Sequence, residues 1–80
     1  MIGYKRLKDY FFLLEYQELT CSQIAKETNT TQQTAWRNMK VLSRLGLIRR
    51  RKDQGSKKIY YKVTFGYSLP VFIDKFYEGE

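Results

Sequence analysis

Gln33, Arg37, Lys40 and Arg44 recur at intervals of four, three and four along the middle of the chain. On a helix that spacing places them in one stripe. None is a nucleophile or a metal ligand; all four are hydrogen-bond donors, and three are cationic. A guanidinium can pair two donors with O6 and N7 of guanine, and a carboxamide can do the same with N6 and N7 of adenine. Lys40 and Arg44, further along, suit phosphate oxygens, and the hydroxyls of Thr31 and Thr34 and the amides at the helix start are further phosphate donors. The stripe therefore has the chemistry of the DNA major groove. It is also the pattern of a plain solvated helix face. Two features count against that: the stripe has no acidic member, although mixed signs would stabilise an isolated surface helix, and Trp36 lies at its edge. Trp36 itself has two readings, one against a sugar or a thymine methyl, the other as core tucked against the following hairpin.

A second group of cations follows. Arg49, Arg50, Arg51 and Lys52 precede the turn Asp53-Gln54-Gly55-Ser56, and Lys57 and Lys58 succeed it. Six cations at the end of a two-stranded ribbon repel one another, and a polyanion would relieve that repulsion. The net charge of +7 is concentrated in this region: Arg37 to Lys62 holds ten basic residues against one acidic residue, Asp53. Such a bias is the electrostatic footprint of a polyanion-binding surface. It also argues against a domain used only for protein contact. Enzymatic chemistry is not expected, because there is no histidine, Cys21 has no base nearby in sequence, and no Gly-rich phosphate loop appears. No metal and no cofactor are expected either. Cys21 reads as a small, mostly buried residue at a helix start.

The elements that position these groups follow from periodicity and caps. Leu7, Tyr10, Phe11 and Leu14 predict a first helix over 4–17, with Phe12 and Tyr16 roughly opposite that stripe and Leu13 to one side. Thr20-Cys21-Ser22-Gln23 fits a capping box and opens a second helix over 20–28, with Cys21, Ile24, Ala25 and Thr28 on one face. Asn29 tolerates the left-handed conformation that ends a helix. Thr31 caps a third over 31–45 whose buried face is Ala35, Met39 and Leu42, and Gly46 stops it. Two short helices joined by a tight polar turn form a helix-turn-helix unit. The alternation in Ile59 to Thr64 predicts a hairpin over 47–64. Ser68, Pro70 and the repeat Leu69, Phe72, Ile73, Phe76 predict a short last helix over 68–78. No linker or repeat divides residues 1–80, so one α+β domain is expected: a three-helix core, a two-stranded hairpin and a short C-terminal helix.

Eighty residues bury only about 60% of the surface their unfolded chain exposes, so oligomerisation is an expected support. A lone thiol and no signal peptide predict a protein of the reducing cytoplasm. The most apolar stretch, Tyr10 to Leu14, is too short to span a bilayer.

From Thr20 to Ile48 the chain resembles the winged helix-turn-helix of MarR- and ArsR-type transcription regulators. The resemblance rests on Gln23-Ile24-Ala25, on Thr31-Gln32-Gln33-Thr34-Ala35-Trp36-Arg37, on Leu42, and on Leu45-Gly46-Leu47-Ile48. Tyr60 to Thr64 resembles the strand that leaves the wing. By that resemblance Gln32, Gln33, Trp36 and Arg37 would read bases, while Thr31, Thr34 and the wing would hold the DNA backbone. Asn29 replaces the usual turn glycine and Thr28 a leucine. The cysteine cluster of ArsR-type metal sensing and the helices that build a MarR-type ligand pocket are missing, so no small-molecule effector is expected. The combined expectation is a sequence-specific regulator of transcription that binds double-stranded DNA as a homodimer. Phe12, Leu13, Tyr16, Leu69, Phe72, Ile73 and Phe76 would pack across the dimer axis, and the operator would be an inverted repeat. Two alternatives stay open. The last helix would instead fold over Phe12 and Tyr16 of its own chain, or the protein would be a DNA-binding module of another kind, such as a replication initiator or an architectural protein.

Overall fold

A computed structural model describes residues 2–79. Its elements run α1 (Tyr4–Leu14), α2 (Cys21–Glu27), α3 (Gln32–Arg44), β1 (Ile48–Lys52), β2 (Ile59–Val63) and α4 (Leu69–Gly79). In α1 the stripe Leu7, Tyr10, Phe11 and Leu14 is buried, which fixes how the helix is rolled. The helix stops at Leu14 rather than running to 17. Gln17 Nε2 donates back to the Leu13 carbonyl at 2.9 Å, satisfying one of the carbonyls that the helix end leaves open.

The turn between α2 and α3 is set by paired stop and start signals. At the head of α2 the Thr20 hydroxyl accepts from the Gln23 amide at 3.3 Å, and Gln23 Oε1 accepts from the Thr20 amide at 2.9 Å. At its foot Asn29 takes φ +55°, Thr30 N–H reaches the Ala25 carbonyl at 2.9 Å, and Asn29 N–H reaches that of Lys26. That bond pair is a Schellman stop, and it needs a residue that accepts positive φ. The same pair recurs after α3, where Gly46 takes φ +78° and Leu47 N–H bonds the Leu42 carbonyl at 3.0 Å. Thr31 caps α3 by accepting from the Thr34 amide at 3.1 Å.

β1 and β2 pair antiparallel, from Ile48 opposite Val63 to Lys52 opposite Ile59. Leu19, in the link between α1 and α2, exchanges both backbone hydrogen bonds with Tyr61 at 3.1 and 2.8 Å. This single rung ties the wing to the helices. Alternation along the sequence cannot reveal a rung of one residue.

α4 corrects one expectation. Phe72 and Phe76 do not wait for a second chain; both are fully buried in this one, and Phe72 meets Phe11 edge-on with ring centroids 5.2 Å apart. The helix lies against α1 on the Phe11 side, not over Phe12 and Tyr16. An intramolecular partner costs no association entropy, so two phenylalanines that can reach their own core are buried there. Leu13, Leu69 and Ile73 are partly buried around the same core, whereas Phe12 is 61% and Tyr16 85% exposed.

Candidate nucleic-acid interface

Burial of Ala35, Met39 and Leu42 rolls α3 so that Gln32, Gln33, Trp36, Arg37, Lys40 and Arg44 face solvent together. One further bond holds that roll. Asn38 Nδ2 donates to the Tyr10 hydroxyl at 2.7 Å, tying α3 to α1. Sequence reasoning missed it, because Asn38 belongs to neither the apolar nor the polar stripe. Trp36 is 51% exposed, with Lys40 Nζ 5.1 Å from its ring centroid, so it is not core. Thr31 and Thr34 divide their labour. The Thr31 hydroxyl donates to Thr34 Oγ1 at 2.9 Å and is consumed by the cap, which leaves the Thr34 hydroxyl proton for an outside acceptor.

The strand register separates the wing cations. Arg49 lies opposite Lys62 and Arg51 opposite Tyr60, while Arg50 lies opposite Tyr61 and Lys52 opposite Ile59. Ile48 and Val63 are buried, so alternation puts Arg50 and Lys52 on the face toward α3 and Arg49 and Arg51 on the outer face. Arg51 is tied down within the chain. Its Nε and Nη2 both donate to Glu18 Oε2, at 2.9 and 2.6 Å, and its guanidinium lies 5.0 Å from the Tyr60 ring centroid. Hydrogen bonding to that guanidinium holds the Glu18 carboxyl below the usual carboxylate range. The six wing cations expected to meet one partner therefore split: Arg50, Lys52, Lys57 and Lys58 point inward or lie at the tip, and Arg49 and Arg51 do not.

Between α3 and the inner face of the wing runs a groove of about 930 Å³. Trp36, Ile59 and Tyr61 give its lining apolar surface, and Lys40, Arg44, Arg50, Lys57 and Lys58 supply cations. No carboxylate lines it among the described residues. Cys21 sits half-buried at its α2 end, where burial pushes the thiol above its ordinary range. Burial raises the neighbouring Tyr61 hydroxyl as well. An acid-free cleft lined by apolar and cationic side chains attracts a polyanion that also carries flat or apolar surface. Among the described residues no three acids, cysteines or histidines gather to hold a metal, and no helix is long and apolar enough to cross a membrane.

Comparison with known proteins agrees with this geometry. Residues 9–51 match the family model of a helix-turn-helix domain. No curated protein matches the chain. Among solved structures it is similar to the adhesin competence repressor AdcR from Streptococcus pyogenes, with a TM-score of 0.71 and 22% sequence identity over 91% of this chain. At that identity the likeness is one of fold. The chain spans about half of that protein, 55% of its length.

Proposed function

The chain belongs to the helix-turn-helix domain family and folds as a winged helix-turn-helix, and from that premise we propose that it is a sequence-specific regulator of transcription acting on double-stranded DNA. The observation that carries the reading is the acid-free basic groove between α3 and the wing, with Gln33 and Arg37 exposed beside it. Gln32, Gln33, Trp36 and Arg37 read base edges in the major groove; Thr34, Lys40 and Arg44 hold phosphates, and the Thr31 cap orients the helix start. Arg50, Lys52, Lys57 and Lys58 carry the wing's share of backbone contact. The protein acts as a homodimer on an inverted repeat, with exposed Phe12 and Tyr16 near the seam.

Selection of binding sites from random duplexes tests this. The expected outcome is one enriched motif with two related halves. Uniform recovery of all sequences would overturn specificity and leave a DNA-coating role.

A further inference from the structure

The outer face of the wing holds an arrangement that DNA in the inner groove does not use. Arg49 and Lys62 are directly opposite each other on it, and both are exposed. Like charges in cross-strand register weaken a hairpin unless an anion relieves them. Glu18, the acid that forms an ion pair on this face, is hydrogen-bonded by Arg51 and reaches Lys62 only as a nearby charge. Tyr16 stands exposed beside these cations, and Phe65 is 99% exposed. Together they line a second groove of about 720 Å³. Its occupant must be both anionic and apolar.

We propose that this outer wing face is the docking surface for a second copy of the chain, which seats the acidic outward face of its own α4 there. The proposal rests on the self-association part of the function proposed above and is independent of the DNA reading. Because α4 turns Phe72 and Phe76 into its own core, its opposite side presents Asp74 and Glu78 to solvent, with Val71, Lys75 and Tyr77 exposed as well. Lys75 Nζ is drawn to 5.8 Å from the Tyr67 ring centroid of its own chain. Two carboxylates on that helix match the two cations on the wing, and the exposed rings supply apolar cover on both sides. Since α4 is held against its own α1 by Phe72 and Phe11, this acidic face is turned away from the rest of its chain. A nucleic-acid strand is the poorer occupant. A continuous line of phosphates crossing the groove would run past Glu15 and Glu18, which also line it, whereas a helix offers two carboxylates only and can set them on Arg49 and Lys62. Each copy has one wing and one α4, so a pair of copies closes as a two-fold dimer when both contacts form at once, and the mass of a dimer rather than of a lengthening chain is the expected form.

Charge reversal tests the pairing by sedimentation and light scattering, with circular dichroism confirming that each variant is folded. Arg49→Glu with Lys62→Glu places acid against acid, and Asp74→Lys with Glu78→Lys places base against base. Each double variant is expected to associate about a hundredfold more weakly than the parent, or worse. An equimolar mixture of the two restores both contacts and recovers the dimer, as does one chain carrying all four changes. Phe65→Ser weakens the dimer without altering charge. A monomeric parent, double variants that keep the parent's mass, or a mixture of folded variants that stays monomeric would each overturn the proposal. Single half-site DNA binding is followed in parallel with Asp74→Lys, Glu78→Lys. Its retention alongside loss of the dimer supports the proposal, whereas failure of the parent to bind any duplex counts against the DNA reading alone.

Discussion

Arg37 and Arg51 are the same side chain in opposite situations. Arg37 projects from α3 with no ion pair among the described residues, while Arg51 is clamped to Glu18 and laid on Tyr60. A guanidinium already paired in cis must break that pair to meet a base or a phosphate, so the two substitutions have different effects. Arg37→Ala and Gln33→Ala are each expected to cost about 1–3 kcal/mol on the cognate site and much less on scrambled DNA. Arg51→Ala should leave sequence preference intact. Titration of each variant on both duplexes checks this, and a loss of discrimination in Arg51→Ala would reverse the roles. Cys21 gives a second test. Burial disfavours its thiolate, and the thiolate is the form that reacts, so alkylation at neutral pH should run severalfold slower than for free cysteine. DNA in the groove should slow it further. The α3 stripe was legible in the sequence because spacings of three and four declare a helix face. The tie between Arg51 and Glu18 was not, because 33 residues separate the partners and no period connects them. Trp36 stayed ambiguous because it lies on the boundary between the polar stripe and the wing, and only the position of the hairpin decides its exposure.

Of the helices, α2 and α3 were legible through their ends, whereas α1, which has no side-chain cap, stops short of the predicted bound. Thr20 with Gln23, Asn29, Thr31 and Gly46 each act within a few residues, and local hydrogen bonds need no tertiary information. These signals make testable claims. Gly46→Ala forces a Cβ into the left-handed region at φ +78° and should destabilise by about 1–2 kcal/mol; Thr20→Ala removes the cap of a seven-residue helix and should cost about 1 kcal/mol. Chemical denaturation measures both, and an unchanged midpoint for Gly46→Ala would mean that the turn relaxes. What escaped the sequence is how elements meet. The rung between Leu19 and Tyr61 and the ion pair between Glu18 and Arg51 both anchor the wing to the link before α2. The ion pair makes that anchor sensitive to pH in a definite direction. The Glu18 carboxyl is lowered in the folded chain, so its contribution is present above the ordinary carboxylate range and is lost as pH falls through its folded value. Proteolytic nicking in the wing should therefore rise in that acidic range. Glu18→Gln should nick at the same elevated rate across the whole range; a parent wing indifferent to acid would dismiss the ion pair as an anchor.

At the scale of the whole molecule, α4 is where reading the sequence went astray. Its apolar repeat was clear, but a repeat does not say whether its partner lies in the same chain. Phe72 and Phe76 being fully buried settles that, and it changes what truncation does. Removing residues 65–80 uncovers Phe11 and empties the space of two phenylalanines, each worth about 3–5 kcal/mol, in a domain whose total stability is of order 5–15 kcal/mol. The truncated chain should unfold rather than persist as a DNA-binding monomer; a cooperative melt from it would show that α4 is dispensable. Division of the wing cations between two faces also sets the salt dependence of DNA binding. Arg51 is neutralised by Glu18, and Arg49 and Lys62 lie on the outer face, so the cations left for one duplex are Lys40, Arg44, Arg50, Lys52, Lys57 and Lys58. If about four of these meet phosphates, each releasing its condensed counterion, log K should fall against log salt with a slope of about −4 for one chain on a half-site and about −7 for a dimer on the full repeat. Replacing Lys57 and Lys58 by alanine should flatten the half-site slope by about 2, whereas Arg51→Ala should leave it unchanged. A parent slope flatter than about −2 would remove the groove as the principal phosphate-binding surface, and a change of slope on losing Arg51 would place that residue back on the DNA.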